Sequence, residues 1–211
     1  MLSKKKLLKD SLLCVILDRD ILTGRYIAAV AKKALRAGAD MLQLRCKHSS
    51  TKEALKTASA LRTLTRRYKV PLIINDRLDI AAAIDGDGVH IGRSDLSVSA
   101  ARKLLTPDKL VGVTAHSLAE AKRAKEEGAD YIGVGPVFKT PIKASRRARG
   151  TGLLKKICRL NIPIIAIGGI DSGNIYGLVR SGFKRVAVIR AVCSSPEAFR
   201  STKRLKEAII S

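Results

Sequence analysis

The sequence predicts a closed (β/α)8 barrel, the TIM-barrel architecture, as one domain over residues 1–211. Short, nearly continuous apolar runs alternate with longer segments whose apolar residues recur at helical spacing, and the pair repeats eight times in order. Continuous apolar runs, as opposed to strictly alternating ones, belong to parallel strands covered by helices. No linker or break in composition divides the chain, and crossovers that all turn right-handed close such a sheet on itself. A doubly wound open sheet is the alternative, and it would require helices shared between two faces.

The first strand is "LLCVIL" (Leu12–Leu17), followed by the helical "GRYIAAVAKKALRAG". The second, "MLQLRC" (Met41–Cys46), leads to a helix over Thr51–Tyr68, with Thr51 as N-cap and Ala54, not Glu, at the capping-box position. The third is "PLIIND" (Pro71–Asp76), then the helical "RLDIAAAI". Strand "GVHIG" (Gly88–Gly92) precedes helix "SVSAARKLL", and "LVGVTA" (Leu110–Ala115) precedes "SLAEAKRAKEEG", where Ser117 and Glu120 have capping-box spacing. "YIGVGPV" opens into a polar connection from Phe138 to Thr151, long for a βα loop. Helix "GLLKKICRL", strand "PIIAIGGI", helix "GNIYGLVRSG", strand "RVAVIRAV" and helix "SPEAFRSTKRLKEAII" complete the chain. "AGAD" and "EGAD", before the second and sixth strands, read as helix-ending glycines entering a buried strand.

Composition narrows the function classes. Hydrophobic residues are 46% of the chain, enough for a large core, and no apolar stretch reaches the length of a membrane span. The basic start is interrupted by Asp10 and Ser11 with no small-residue cleavage site after it, so no signal peptide is expected. Cys14, Cys46, Cys158 and Cys193 form no CxxC pair and read as reduced thiols of a cytoplasmic protein, and zinc has little support. The net charge of +23 favours anionic partners, but aromatics are only 3%, with none interleaved among basic residues to stack bases. The excess is therefore read as a solvated basic surface, with no specific nucleic-acid or membrane partner; a homo-oligomer stays open.

In a barrel the carboxyl ends of all strands emerge on the ligand-binding face. "PLIIND" ends an apolar run on an amide and a carboxylate, poor strand formers that suit either a turn or a ligand site. Collected with it are Gln43, Arg45 and Lys47, at alternating positions and so directed alike; Asp95; Thr114; Thr140 and Lys143; Gly168 and Gly169; and Arg190 with Ala191 at the end of the eighth strand. Arg45, Lys47 and Lys143 suit a phosphate ester. Asp76 and Asp95 are hard oxygen ligands suited to Mg²⁺ shared with phosphate oxygens. "IGGI" before a helix offers backbone amides free of side chains, a phosphate cradle. Two facing anion sites point to an enzyme joining or splitting two phosphorylated small molecules.

These residues carry a resemblance. "QLRCK", "PLIINDRLDIAAAIDGDGVHIGRSDL", "GVTAHS", "GADYIGVGPVFKTPIK" and "IPIIAIGGI", collinear from Leu13 to Val192, resemble the thiamine-phosphate synthase family. The resemblance implies coupling of hydroxymethylpyrimidine diphosphate to thiazole phosphate, releasing diphosphate, with Mg²⁺ as cofactor. By it, Gln43 contacts the pyrimidine; Arg45, Lys47, Asn75 and Lys143 hold the diphosphate; and Asp76 and Asp95 carry Mg²⁺. Thr114 stands where the family commonly has Ser, and Thr140, Gly168, Gly169 and the backbone around Arg190 bind the thiazole phosphate. The implied mechanism is dissociative, with Arg45, Lys143 and Thr114 as its catalytic residues and no protein nucleophile.

Three positions depart from the family pattern. Cys46 replaces a Glu, and strand alternation points it away from Arg45 and Lys47, toward core packing. Ile142 replaces a Thr in the Thr140–Lys143 loop, and Arg190 replaces a small Ser; both fall on the thiazole side. Two other readings compete: the related thiazole tautomerase, which needs no diphosphate ligands, and a polyanion-binding barrel, favoured by charge but lacking aromatics. His90, inside a strand, is expected to pack in the barrel, whereas His48 and His116 carry no assigned role. The segment from Phe138 to Thr151, with Lys139, Lys143, Arg146, Arg147 and Arg149, is expected to act as a lid over diphosphate.

Overall fold

The structure is a computed structural model describing residues 4–23, 26–141 and 148–211, with side chains from Leu7 onward. Its strands are β1 (Leu13–Asp18), β2 (Met41–Arg45), β3 (Leu72–Asn75), β4 (Gly88–Ile91), β5 (Leu110–Ala115), β6 (Tyr131–Val134), β7 (Ile164–Ile167) and β8 (Val186–Val188). They pair in sequence order, all parallel, and β8 closes on β1. The expected closed barrel is therefore what forms, and the open sheet is not. Helices α2 (Ile27–Arg36), α3 (Thr51–Tyr68), α4 (Leu78–Ala83), α5 (Val98–Leu104), α6 (Leu118–Glu126), α7 (Gly152–Cys158), α8 (Ile175–Arg180) and α10 (Ala198–Ile210) follow the strands. Two more were not separated by sequence: α1 (Lys4–Asp10), before the barrel, and the short α9 (Arg190–Cys193). Among the described residues no helix is long and apolar enough to cross a membrane.

Strand alternation divides the apolar residues into two cores. Residues such as Val15, Leu42, Ile74, Val89 and Val111 face outward onto the helices. Cys14, Ile16, Met41, Ile73, Leu110, Tyr131, Ile165 and Ala187 fill the barrel, and Leu8 of α1 packs beneath them. Arg185 helps to hold α1 there, its Nε donating to the Leu8 carbonyl at 3.1 Å.

The repeated "GAD" does more than turn the chain. Asp40, ahead of β2, accepts backbone N–H groups of Leu12 and Leu13 at 3.0 and 2.8 Å. Asp130, ahead of β6, accepts from Val111 at 2.8 Å, and Asp87, ahead of β4, accepts from Leu72 at 2.8 Å. Each ties the strand it precedes to the start of the strand before, satisfying amides that the ladder leaves open at the barrel floor. Lys206, Arg102 and Arg62 respectively balance these carboxylates.

Local starts and stops needed correction. The α3 N-cap is Ser50, not Thr51: Ser50 Oγ accepts from Glu53 N while the Glu53 carboxylate accepts from Ser50 N, a full capping box one residue earlier than expected. Ser117 does cap α6, but Glu120 reaches back past it to the His116 N–H at 2.7 Å. Arg190 does not end a strand. β8 stops at Val188, where its pairing with β1 and β7 runs out, and Arg190 opens α9, with Ser194 N donating to its carbonyl at 3.0 Å.

Candidate active site

The upper half of the barrel interior is polar, and register explains how. Asp18 and Arg45 are paired positions on β1 and β2, so their inward side chains meet in an ion pair, with Asp20 Oδ2 3.8 Å from the same guanidinium nitrogen. Asp18 is fully buried, a placement tolerable only with such a partner. One residue pair deeper, Gln43 Nε2 donates to Asn75 Oδ1 at 2.7 Å, joining β2 to β3. Asn75 is in turn paired by register with His90 on β4, whose Nε2 lies 2.8 Å from Thr114 Oγ1 on β5.

Asp76 and Asp95 also come together, across the β3 and β4 loops. Asp76 has a left-handed backbone (φ 64°) and donates its N–H to the His90 carbonyl at 2.9 Å. Asx side chains tolerate this region better than most, and such backbone is concentrated at functional sites. Asp95 Oδ2 accepts from Gly92 N at 2.6 Å. The two carboxyls share a hydrogen bond, one of them supplying the proton. Burial first, then that bond and the Asp95 charge, push Asp76 up from 3.8 to about 6, against the pull of Lys47 and Arg45. Among the described residues no three His, Cys, Asp or Glu converge as a metal cage. Two carboxylates in reach of each other are nonetheless the donor set Mg²⁺ takes when substrate phosphate and water complete its shell. The residues fit the ion.

On the opposite side, a cavity of about 370 Å³ opens over β5–β8, lined among others by Thr114, His116, Thr140, Gly168, Gly169 and Arg190. Gly168 and Gly169 have φ of 100° and 67°, and added Cβ atoms would lie 2.6 Å from Pro136 Cα and 2.4 Å from the Lys139 carbonyl oxygen. No side chain can be carried there, so the wall is bare backbone. His116 is buried in the same wall, its Nδ1 2.7 Å from the Gly135 carbonyl oxygen.

Gln43, Arg45, Asn75, Asp76, Asp95 and Thr114 thus gather at one mouth, with exposed Lys47 near enough to act on Asp76. Thr140, Gly168, Gly169 and Arg190 share the second cavity with Thr114. Lys143 and Ile142 lie outside the described residues, as do Arg146, Arg147 and the rest of the middle of the expected lid, residues 142–147. Cys46 packs against the outer core, as alternation required. His48, exposed, lies 2.9 Å from Asp20 Oδ2. Sequence reading passed over Asp18, although "LCVILD" ends an apolar strand on a carboxylate just as "PLIIND" does. His116, given no role from its place at the start of a loop, lines the second cavity.

Fold and mouth together define the class: a (β/α)8-barrel enzyme acting on small phosphorylated substrates. Residues 13–192 match the thiamine monophosphate synthase family, and the chain belongs to it. It is 43% identical over 202 residues to the thiamine-phosphate synthase of Chloroflexus aurantiacus, covering 95% of this chain and 93% of that one. With the thiamine-phosphate synthase of Clostridium tetani the identity is 39% over 197 residues, covering 93% and 94%. The solved thiamine phosphate pyrophosphorylase of Pyrococcus furiosus superposes with a TM-score of 0.88 at 35% identity, covering 96% of this chain and 98% of that one.

Proposed function

We propose that this barrel is a transferase of thiamine biosynthesis that joins hydroxymethylpyrimidine diphosphate to thiazole phosphate, giving thiamine phosphate and diphosphate. The observation that carries the reading is the pair Asp76–Asp95 beside Lys47 and Arg45, facing a separate cavity walled by Gly168 and Gly169. An enzyme that only rearranged the thiazole would have no use for the first half.

In this reading Gln43, its amide fixed by Asn75, orients the pyrimidine, and Arg45, Lys47, Asn75 and Lys143 hold the diphosphate. Asp76 and Asp95 hold Mg²⁺, which when bound supplies positive charge beside the diphosphate oxygens. The bond from the pyrimidine methylene carbon to the diphosphate oxygen breaks, and its electron pair leaves with the diphosphate. Arg45, Lys143 and Thr114 stabilise the charge that develops there. The thiazole nitrogen, positioned by phosphate contacts to Thr140, Gly168, Gly169 and Arg190, then supplies its lone pair to the methylene carbon. Arg45 reaches this task already aligned by Asp18, so little reorganisation accompanies the step. The polar interior stops at the apolar floor of the barrel, which leaves water no path to the cationic carbon from below. Four cysteines with no CxxC pair among them suit a reducing cytoplasm.

The test is a coupling assay with both substrates and Mg²⁺, following thiamine phosphate by fluorescence after oxidation. Product that requires both substrates and the metal is expected. No product, with the pyrimidine diphosphate still bound, would sink the assignment.

A further inference from the structure

Thr114 rests on a buried polar chain that the coupling chemistry leaves unused. Below it, His90 places Nε2 2.8 Å from Thr114 Oγ1 and Nδ1 3.2 Å from the Tyr131 hydroxyl. The rings lie 5.5 Å apart, and both residues are buried. Two strands give up side chains to admit them. A Cβ on Gly112 would come within 2.0 Å of Tyr131 Cζ, and one on Gly133 within 3.0 Å of His90 Cε1. A core designed only for packing would fill this space with aliphatic side chains.

The direction of the chain follows from proton counting. Burial pushes the Tyr131 phenol well above its ordinary range, so it keeps its proton. Among the described residues its hydroxyl has His90 as partner, and a buried donor left unmade is the more costly omission. The phenol therefore donates to Nδ1. In a neutral imidazole the other nitrogen then carries the hydrogen, and Nε2–H donates to Thr114 Oγ1. With its oxygen accepting from below, the Thr114 hydroxyl turns its own hydrogen toward the cavity that it lines.

We infer that Tyr131 and His90 are positioning residues which fix the Thr114 hydroxyl as a one-way hydrogen-bond donor to the anionic substrate. The inference rests on the reading of Thr114 as a substrate contact. Without the phenol, either ring nitrogen could hold the hydrogen, and Thr114 could spend its donor on Nε2.

Two measurements test it, one independent of turnover. Nitrogen-15 correlation spectra of the free enzyme, with the His90 signal assigned by its loss in His90→Asn, are expected to show the proton on Nε2; a proton on Nδ1 overturns the inference. In the coupling assay, Tyr131→Phe is expected to lower kcat about fivefold to tenfold, with both KM values changed less than about twofold. Added to Thr114→Val, the same change should lower kcat less than about twofold further, while its effect on Tm is the same in both backgrounds. Equal losses of kcat in both backgrounds would mark Tyr131 as a packing residue and refute the relay. An Nε2-protonated ring in an enzyme indifferent to Thr114→Val would instead refute the substrate contact, and the relay's purpose with it.

Discussion

Replacing Asp76 by Asn should separate function from stability. The Asp76 carboxyl is held at about 6 in the folded chain, against 3.8 when unperturbed. A folded-state value above the unfolded one means that the native state binds the proton more tightly. The native state therefore loses stability as pH rises through about 4 to 6, and the loss is complete above that. Taken at face value, the shift corresponds to roughly 3 kcal/mol. The side chain is only half-buried, and solvent screening reduces this to about 1 kcal/mol. Asn keeps the shape and a hydrogen bond to Asp95 without the charge. Asp76→Asn should accordingly melt about 2–4 °C higher than the parent at pH 8 without Mg²⁺. The advantage should vanish near pH 4. Mg²⁺ should raise the Tm of the parent and not of the variant, and turnover in the coupling assay should drop at least about tenfold. Calorimetry at both pH values, with and without Mg²⁺, reads all of this. A variant less stable than the parent at pH 8, or one retaining metal-dependent turnover, would refute the paired-carboxylate argument.

Arg190→Ser should raise the KM for thiazole phosphate about tenfold, the loss of one charge-assisted contact, and leave that for the pyrimidine diphosphate unchanged. Unmoved constants in steady-state kinetics would show that the guanidinium takes no part. Gly112→Ala should lower stability in urea titration by about 1–3 kcal/mol, because its Cβ would meet the Tyr131 ring at 2.0 Å, where no flexible chain can give way. Asp87→Ala removes the acceptor of both Leu72 N–H and Arg62, whose Nε is already buried with no hydrogen-bond partner among the described residues. A loss of about 2–3 kcal/mol is expected, with the mouth of the barrel on the far side and kcat preserved.

What was legible in the sequence was whatever has a local period. Each strand, from "LLCVIL" to "RVAVIRAV", announced itself by an apolar run, and the order of runs and helices was enough to expect the barrel and its ligand-binding end. Gln43, Arg45, Asn75, Asp76 and Thr114 were found because a polar residue at the end of a buried strand breaks the run that carries it. Asp18 obeys the same rule, one residue past "LLCVIL", and is signalled just as Asp76 is. Ser50 and Thr51 are equally good caps, and only the reach of Glu53 back to Ser50 decides between them. Arg190 looked like a strand residue because apolar residues flank it on both sides in "VAVIRAV", while the end of β8 is set by where its neighbours on β1 and β7 stop pairing.

Contacts between strands belong to the closed barrel alone. His90 lies 24 residues from Thr114 and 41 from Tyr131, and nothing local in "GVHI" indicates either partner. The same holds for the hydrogen bond of Asp76 with Asp95, the pairing of Arg45 with Asp18, and the wall formed when Gly168 and Gly169 press on residues 136–139. Side-chain periodicity is a property of one segment and can be read along it. Which inward residues share a layer is fixed by the register in which the strands close, and that register is chosen by the packing of the whole interior at once.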